Sequence, residues 1–149
     1  MPLFRQNKPS IKVAGCGSET LLSTSTFWMG DHLQRGLSTS EGSRDIKIIG
    51  DWTITGLRLS QRSQVVATGT NANTAIPLNL KNRTTGTLYT SLVSFSANSV
   101  VPDNQTATAL SIPVLDGQSI SFYFTAPNYT GVGGTDPTGW TAMIDIYMI

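Results

Sequence analysis

Apolar residues along this chain recur mostly at every second position, in short runs separated by turn residues, the spacing of strands packed on a core. Ile46 and Ile48, then Trp52 and Ile54, alternate with polar neighbours, and after Gly56 the phase moves so that Leu57 and Leu59 follow. A β-bulge at Gly56 would produce that change of phase. Ile76, Leu78 and Leu80 alternate cleanly, as do Leu110, Ile112 and Val114, and then Ile120, Phe122 and Phe124. Between the last two runs stands Asp116-Gly117, a strong signal for a tight hairpin turn. Leu21–Met29 and Leu88–Ser96 read as further strands, and residues 30–44 as a long polar loop with three glycines. Nowhere do apolar residues keep a helical spacing for three turns. The core is expected around Ile54, Leu57, Leu78, Leu80, Leu110, Ile112, Ile120, Phe122, Phe124, Ile144 and Ile146.

The last run, Trp140 to Ile149, is apolar on both faces. Trp140, Ala142, Ile144, Ile146 and Met148 form one, and Thr141, Met143, Asp145, Tyr147 and Ile149 the other. Burial on both sides is implied. The first face suits the core, which leaves Met143, Tyr147 and Ile149 as an expected contact between copies, since soluble monomers avoid such a stripe.

With 149 residues, the chain has the length of one domain. Eight or so short strands indicate an all-β antiparallel β-sandwich, and the strand number and length are those of a jelly-roll. Residues 1–20 stand apart. Pro2 and Pro9 restrict the backbone, Arg5, Lys8 and Lys12 are unopposed before Glu19, and Leu3 and Phe4 offer apolar anchors. This stretch is expected to be an extended N-terminal arm outside the compact domain of residues 21–149, with Leu3, Phe4, Arg5, Lys8 and Lys12 contacting a partner. Charge is polarised in the same sense. Residues 1–83 hold all ten basic groups against five acidic ones, whereas residues 84–149 hold only Asp103, Asp116, Asp136 and Asp145. Such a chain can set its basic end on an acidic surface, including the acidic part of a neighbouring copy, unless folding mixes the two parts.

Candidate chemistry is sparse. One cysteine, Cys16, excludes an intrachain disulfide, and with a single histidine, His32, the usual zinc sets cannot be built. No G-x-S-x-G nucleophile elbow and no phosphate-cradling glycine motif occurs. Neither catalytic residues, a metal site nor a cofactor is therefore expected. Three basic residues in the arm are far fewer than a genome-neutralising tail carries, so no specific nucleic-acid partner is expected. Residues 1–12 have no apolar signal-peptide core, and no run is long enough to span a bilayer as a helix, so no membrane partner is expected either. Tyr129, between Asn128 and Thr130 in a Gly/Pro-rich loop, is the aromatic expected to be exposed and a candidate glycan contact.

The basic, proline-broken opening MPLFRQNKPSIK, the Ser/Thr-rich strands and the closing pattern LSIPVLDGQSISFYF…GWTAMIDIYMI together resemble small virion proteins of tailed bacteriophages. Capsid decoration (cement) proteins and fibre-tip domains are of this kind. The resemblance implies a protein made in the host cytoplasm and residing in the virion, where it binds the capsid exterior through the major capsid protein or another virion protein. It also implies self-association as a homotrimer. A receptor- or glycan-binding appendage and a jelly-roll coat protein forming the shell itself are the alternatives. The phrase GDWTITG is similar to the opening strand of avidin-like barrels, but the remainder departs from their pattern.

Overall fold

A computed structural model describes residues 10–30, 36–63 and 66–149 of the chain, with side chains from residue 19 onward. Ten strands follow one another: β1 Ser10–Glu19, β2 Thr26–Met29, β3 Ile46–Lys47, β4 Trp52–Gln61, β5 Ile76–Asn82, β6 Leu88–Phe95, β7 Asp103–Ala107, β8 Ile112–Val114, β9 Ser119–Thr125 and β10 Trp140–Met148. One 3-10 turn, Thr130–Val132, interrupts the loop before β10.

The strands form two antiparallel sheets in a β-sandwich-like arrangement. In the first, the order is β1-β10-β4, and the far edge of β4 is shared by β7, opposite Leu57–Gln61, and β8, opposite Trp52–Ile54. In the second, β2 and β3 share one edge of β9, followed by β5 and β6. The chain therefore changes sheet repeatedly: β1 in the first, β2 and β3 in the second, β4 back in the first, β5 and β6 in the second, β7 and β8 in the first, then β9 and β10 one in each.

Alternation explains the core. Along β10 the buried residues are Trp140, Ala142, Ile144, Ile146 and Met148, as expected from the sequence, and β5 and β9 contribute Leu78, Leu80, Ile120, Phe122 and Phe124. Trp140 bridges the sheets, its ring 5.3 Å from those of Phe95 on β6 and Phe124 on β9. The buried indole N–H donates to Gln61 Oε1 at 2.7 Å, which removes the penalty for a polar group in the core. Ten of the eleven expected core residues are buried; Leu110 is only partly so, packed against the cluster from the loop before β8.

The bulge expected at Gly56 is present. Tyr147 lies opposite Gly56 while Met148 lies opposite Ile54, so Thr55 is the extra residue. The tight neighbour there is the β7 backbone: a Cβ would stand 3.0 Å from the Ala107 carbonyl oxygen, whereas Tyr147 Cδ2, at 3.9 Å, would be in ordinary contact.

Two expectations need correction. The arm is sheet from Ser10 onward: β1 pairs with β10 from Ser10 opposite Met148 to Glu19 opposite Trp140, with an irregularity after Cys16. The free edge of β10 recruits it, because ten residues gain a backbone ladder there that outweighs their polar composition. The strand expected over Leu21–Met29 is shorter, starting at Thr26, because Leu21 and Thr24 donate their N–H groups to Pro137 and Ala126 in the loop before β10.

Candidate functional site

Of the residues singled out in the sequence, Leu3, Phe4, Arg5, Lys8 and His32 lie outside the described residues. Lys12 occupies the β1 position opposite Ile146, and Cys16 that opposite Ala142. Met143 and Tyr147 are on the outer face of β10, both half-buried, and Ile149 is 54 % exposed. The stripe they were expected to form is interrupted. Between Met143 and Tyr147 stands Asp145, which accepts bonds from Arg58 Nε at 3.1 Å and Nη2 at 2.6 Å on β4. This face is thus an ion pair flanked by two partly covered apolar side chains.

Tyr129 is not on the surface. It is fully buried, and this corrects its candidacy as a glycan contact. The loop is folded inward by Ser23, whose Oγ donates to Asp136 Oδ1 at 2.5 Å and accepts the backbone N–H of Tyr129 at 2.9 Å and of Thr130 at 3.0 Å. Asp136 also takes the Ser23 N–H at 2.9 Å. A serine so occupied on both lone pairs is a tie between loops. Burial pushes the Tyr129 phenol up to about 12, with the Asp136 charge adding to the shift.

A second cluster lies on the surface of the other sheet. Glu41 accepts from Lys81 and Arg83, and Arg83 Nε also stands 3.4 Å from Asp45. The Lys81 hydrogen bond, opposed by burial and aided by the charges of Arg83 and Lys81, holds the Glu41 carboxyl below its usual range. Among the described residues, no group of three or more His, Cys, Asp or Glu is placed to hold a metal.

A cleft of about 610 Å³ opens where the edge strands β1 and β2 part company. Glu19 and Thr20 follow the β1 ladder into it, Phe27 comes from β2, Leu37 and Thr39 from the segment after β2, and Thr138 from the loop before β10. Among the described residues no hydrogen bond reaches the Glu19 carboxylate, and its position depends on Gly36, where any side chain would collide with it. The lining is one carboxylate and three threonines beside an apolar wall of Leu22, Phe27 and Leu37. No family model matches this chain, and no curated protein matches its sequence.

Sequence reasoning missed the cleft because its walls come from four separated segments. Glu19 ending an otherwise basic stretch was the one available signal.

Proposed function

We propose that the chain is a jelly-roll structural module of a virion that binds the outside of a capsid and stabilises it. The observation that carries this reading is the strand order. With β2 and β3 counted as one broken strand, and β7 and β8 as another, eight strands cross between the sheets at every step except β5 to β6, an order that supports a jelly-roll reading. That architecture serves viral shells and lectins as well as cupins, and the single histidine of the sequence leaves a cupin metal site without its ligands. The step from fold to capsid is an analogy of architecture and composition, not of a catalytic constellation. Non-enzymatic binding also fits a serine–aspartate pair consumed in tying loops. The test is to mix the purified protein with undecorated shells of a candidate phage. Saturable binding together with greater shell resistance to heat supports the reading; shells that leave the protein free overturn it. Closed particles formed by the protein alone would instead make it the shell.

Self-association as a homotrimer belongs to the same proposal, with Met143, Tyr147 and Ile149 at the contact and the Arg58–Asp145 pair between them. Light scattering at micromolar concentration tests it, and a monomer refutes it.

One observation favours a second reading, a glycan-binding appendage domain. The cleft beside Glu19, Thr20, Thr39 and Thr138 has the hydroxyl-rich lining that a saccharide uses. Binding on a glycan array that Glu19→Gln weakens would support it, and an array with no signal would remove it.

A further inference from the structure

Three of the exposed large apolar residues stand on segments that meet at one end of the molecule, where β4 begins and β8 and β10 finish. Ile49 is 79 % exposed, Leu115 51 % and Ile149 54 %. Backbone bonds bring their segments together. Ile149 and Thr53 exchange N–H···O bonds at 3.0 and 2.8 Å, and Thr53 lies opposite Pro113, two residues before Leu115. The turn carrying Leu115 is laced to the segment carrying Ile49 by Gly117 N–H to Ile48 O at 3.0 Å and Gly50 N–H to Asp116 Oδ1 at 2.7 Å. Asp51 and Asp116 are exposed on this patch, linked by the Asp116 N–H donating to Asp51 Oδ1 at 2.9 Å. Neither joins an ion pair with a described residue. The cations of the neighbouring sheet are engaged elsewhere: Lys81 and Arg83 by Glu41 and Asp45, and Lys47 by an interaction of its own. The patch is therefore apolar with an acidic rim that no described cation pairs.

The first strand begins at this same end. Ser10 lies opposite Met148, so residues 1–9 join the fold beside Ile149. Their sequence, MPLFRQNKP, pairs two large apolar residues with two cations. From β1 to β8 is three strand spacings, about 14 Å, whereas nine extended residues reach up to about 30 Å. We propose that in the free protein residues 1–9 dock on this end of their own chain, Leu3 and Phe4 on Ile49 and Leu115, Arg5 and Lys8 toward Asp51 and Asp116, leaving Ile149 to the contact between copies. The short tether favours the chain's own segment over another copy's, because it supplies an effective concentration in the millimolar range. A partner surface that takes Leu3 and Phe4 competes with this contact, so the docking is independent of whether that partner is a capsid.

Trypsin cleavage of the full chain at the Arg5–Gln6 bond, followed by mass spectrometry, tests the contact. Cleavage in the Ile49→Asp, Leu115→Asp variant is expected to be roughly tenfold faster than in the wild type, a change equivalent to about 1.4 kcal/mol of docking. Asp51→Asn with Asp116→Asn keeps both acceptors and the fold while removing the charge, and is expected to speed cleavage several-fold at low salt. Equal rates in all three proteins overturn the proposal. Protection in the wild type that is unchanged on tenfold dilution supports docking within one chain; protection that disappears on dilution overturns it in favour of a second copy.

Discussion

Replacing Tyr129 with Phe removes one oxygen from the core and is expected to change the alkaline stability of the protein in a defined direction. The side chain is fully buried, and its hydroxyl has no hydrogen-bond partner among the described residues. Losing that hydroxyl at pH 8 is expected to leave stability unchanged or raise it by about 1 kcal/mol, the scale of an unsatisfied buried polar group. Alkali separates the two proteins further. Burial, reinforced by Asp136, pushes the folded phenol up to about 12, while in the unfolded chain a tyrosine titrates near 10. A folded value raised in this way gives stability that is complete below pH 10 and lost as pH rises toward 12, because the unfolded state releases its proton first. Each pH unit inside that window is worth about 1.4 kcal/mol, so by pH 11.5 the wild type is expected to have lost roughly 2 kcal/mol that Tyr129→Phe keeps. Urea titrations of both proteins at pH 8, 10, 11 and 11.5 measure the difference directly and cancel every other titrating group. A gap between them that stays constant from pH 8 to 11.5 would refute the burial argument, as would a loss of more than about 2 kcal/mol at pH 8.

Truncating Phe122, fully buried on β9, to Ala is expected to destabilise by about 3–5 kcal/mol in chemical denaturation, and a loss below about 1 kcal/mol would contradict its central place. Gly134→Ala is expected to lower stability by about 1–3 kcal/mol, because the added methyl would overlap the Thr68 carbonyl where the loops before β5 and β10 cross; an unchanged midpoint would refute that packing. Tyr147→Asp is expected to dissociate any trimer, since it sets a second carboxylate beside Asp145, which already takes up the Arg58 guanidinium, and unchanged mass in light scattering would remove Tyr147 from the contact.

The strands with clean alternation, β5, β8, β9 and β10, were legible because each carries its large apolar side chains on one buried face, and the Gly56 bulge was legible because it changes the phase of that alternation. Two strands were not. The Asp103–Ala107 strand reads DNQTA and buries no large apolar side chain; only its ladder with Leu57–Gln61 makes it a strand. Ser10–Glu19 contains two glycines and follows a proline, and its strand state comes from the open edge of β10, more than a hundred residues away in sequence. Tyr129 illustrates the same limit. Its neighbours are those of a surface loop, and what folds it inward is Ser23, held by Asp136 across 113 positions. Local pattern reports a residue's own face, whereas edge pairing and loop ties are properties of distant partners.

The fate of the charge asymmetry follows from the same logic. Antiparallel pairing of β4 with β10 puts Arg58 beside Asp145 and so neutralises one acid of the later part with a base of the earlier part. The other three are met by neutral donors: Asp103 by Gln61 and Gln105, Asp116 by the Gly50 N–H, Asp136 by Ser23. Meanwhile Lys81 and Arg83 are balanced within the earlier part by Glu41 and Asp45. Among the described residues, therefore, one ion pair joins charges of the two parts. The acidic charge of the later part survives where hydrogen bonds orient it without cancelling it, and Asp116 carries it next to Asp51 at the end where β1 starts. Any attraction between that rim and Arg5 or Lys8 acts across solvent, where charges are screened over about 8 Å at physiological salt. In the docking proposed above, charge would therefore guide the segment toward that end, and Leu3 and Phe4 would have to supply most of what holds it there.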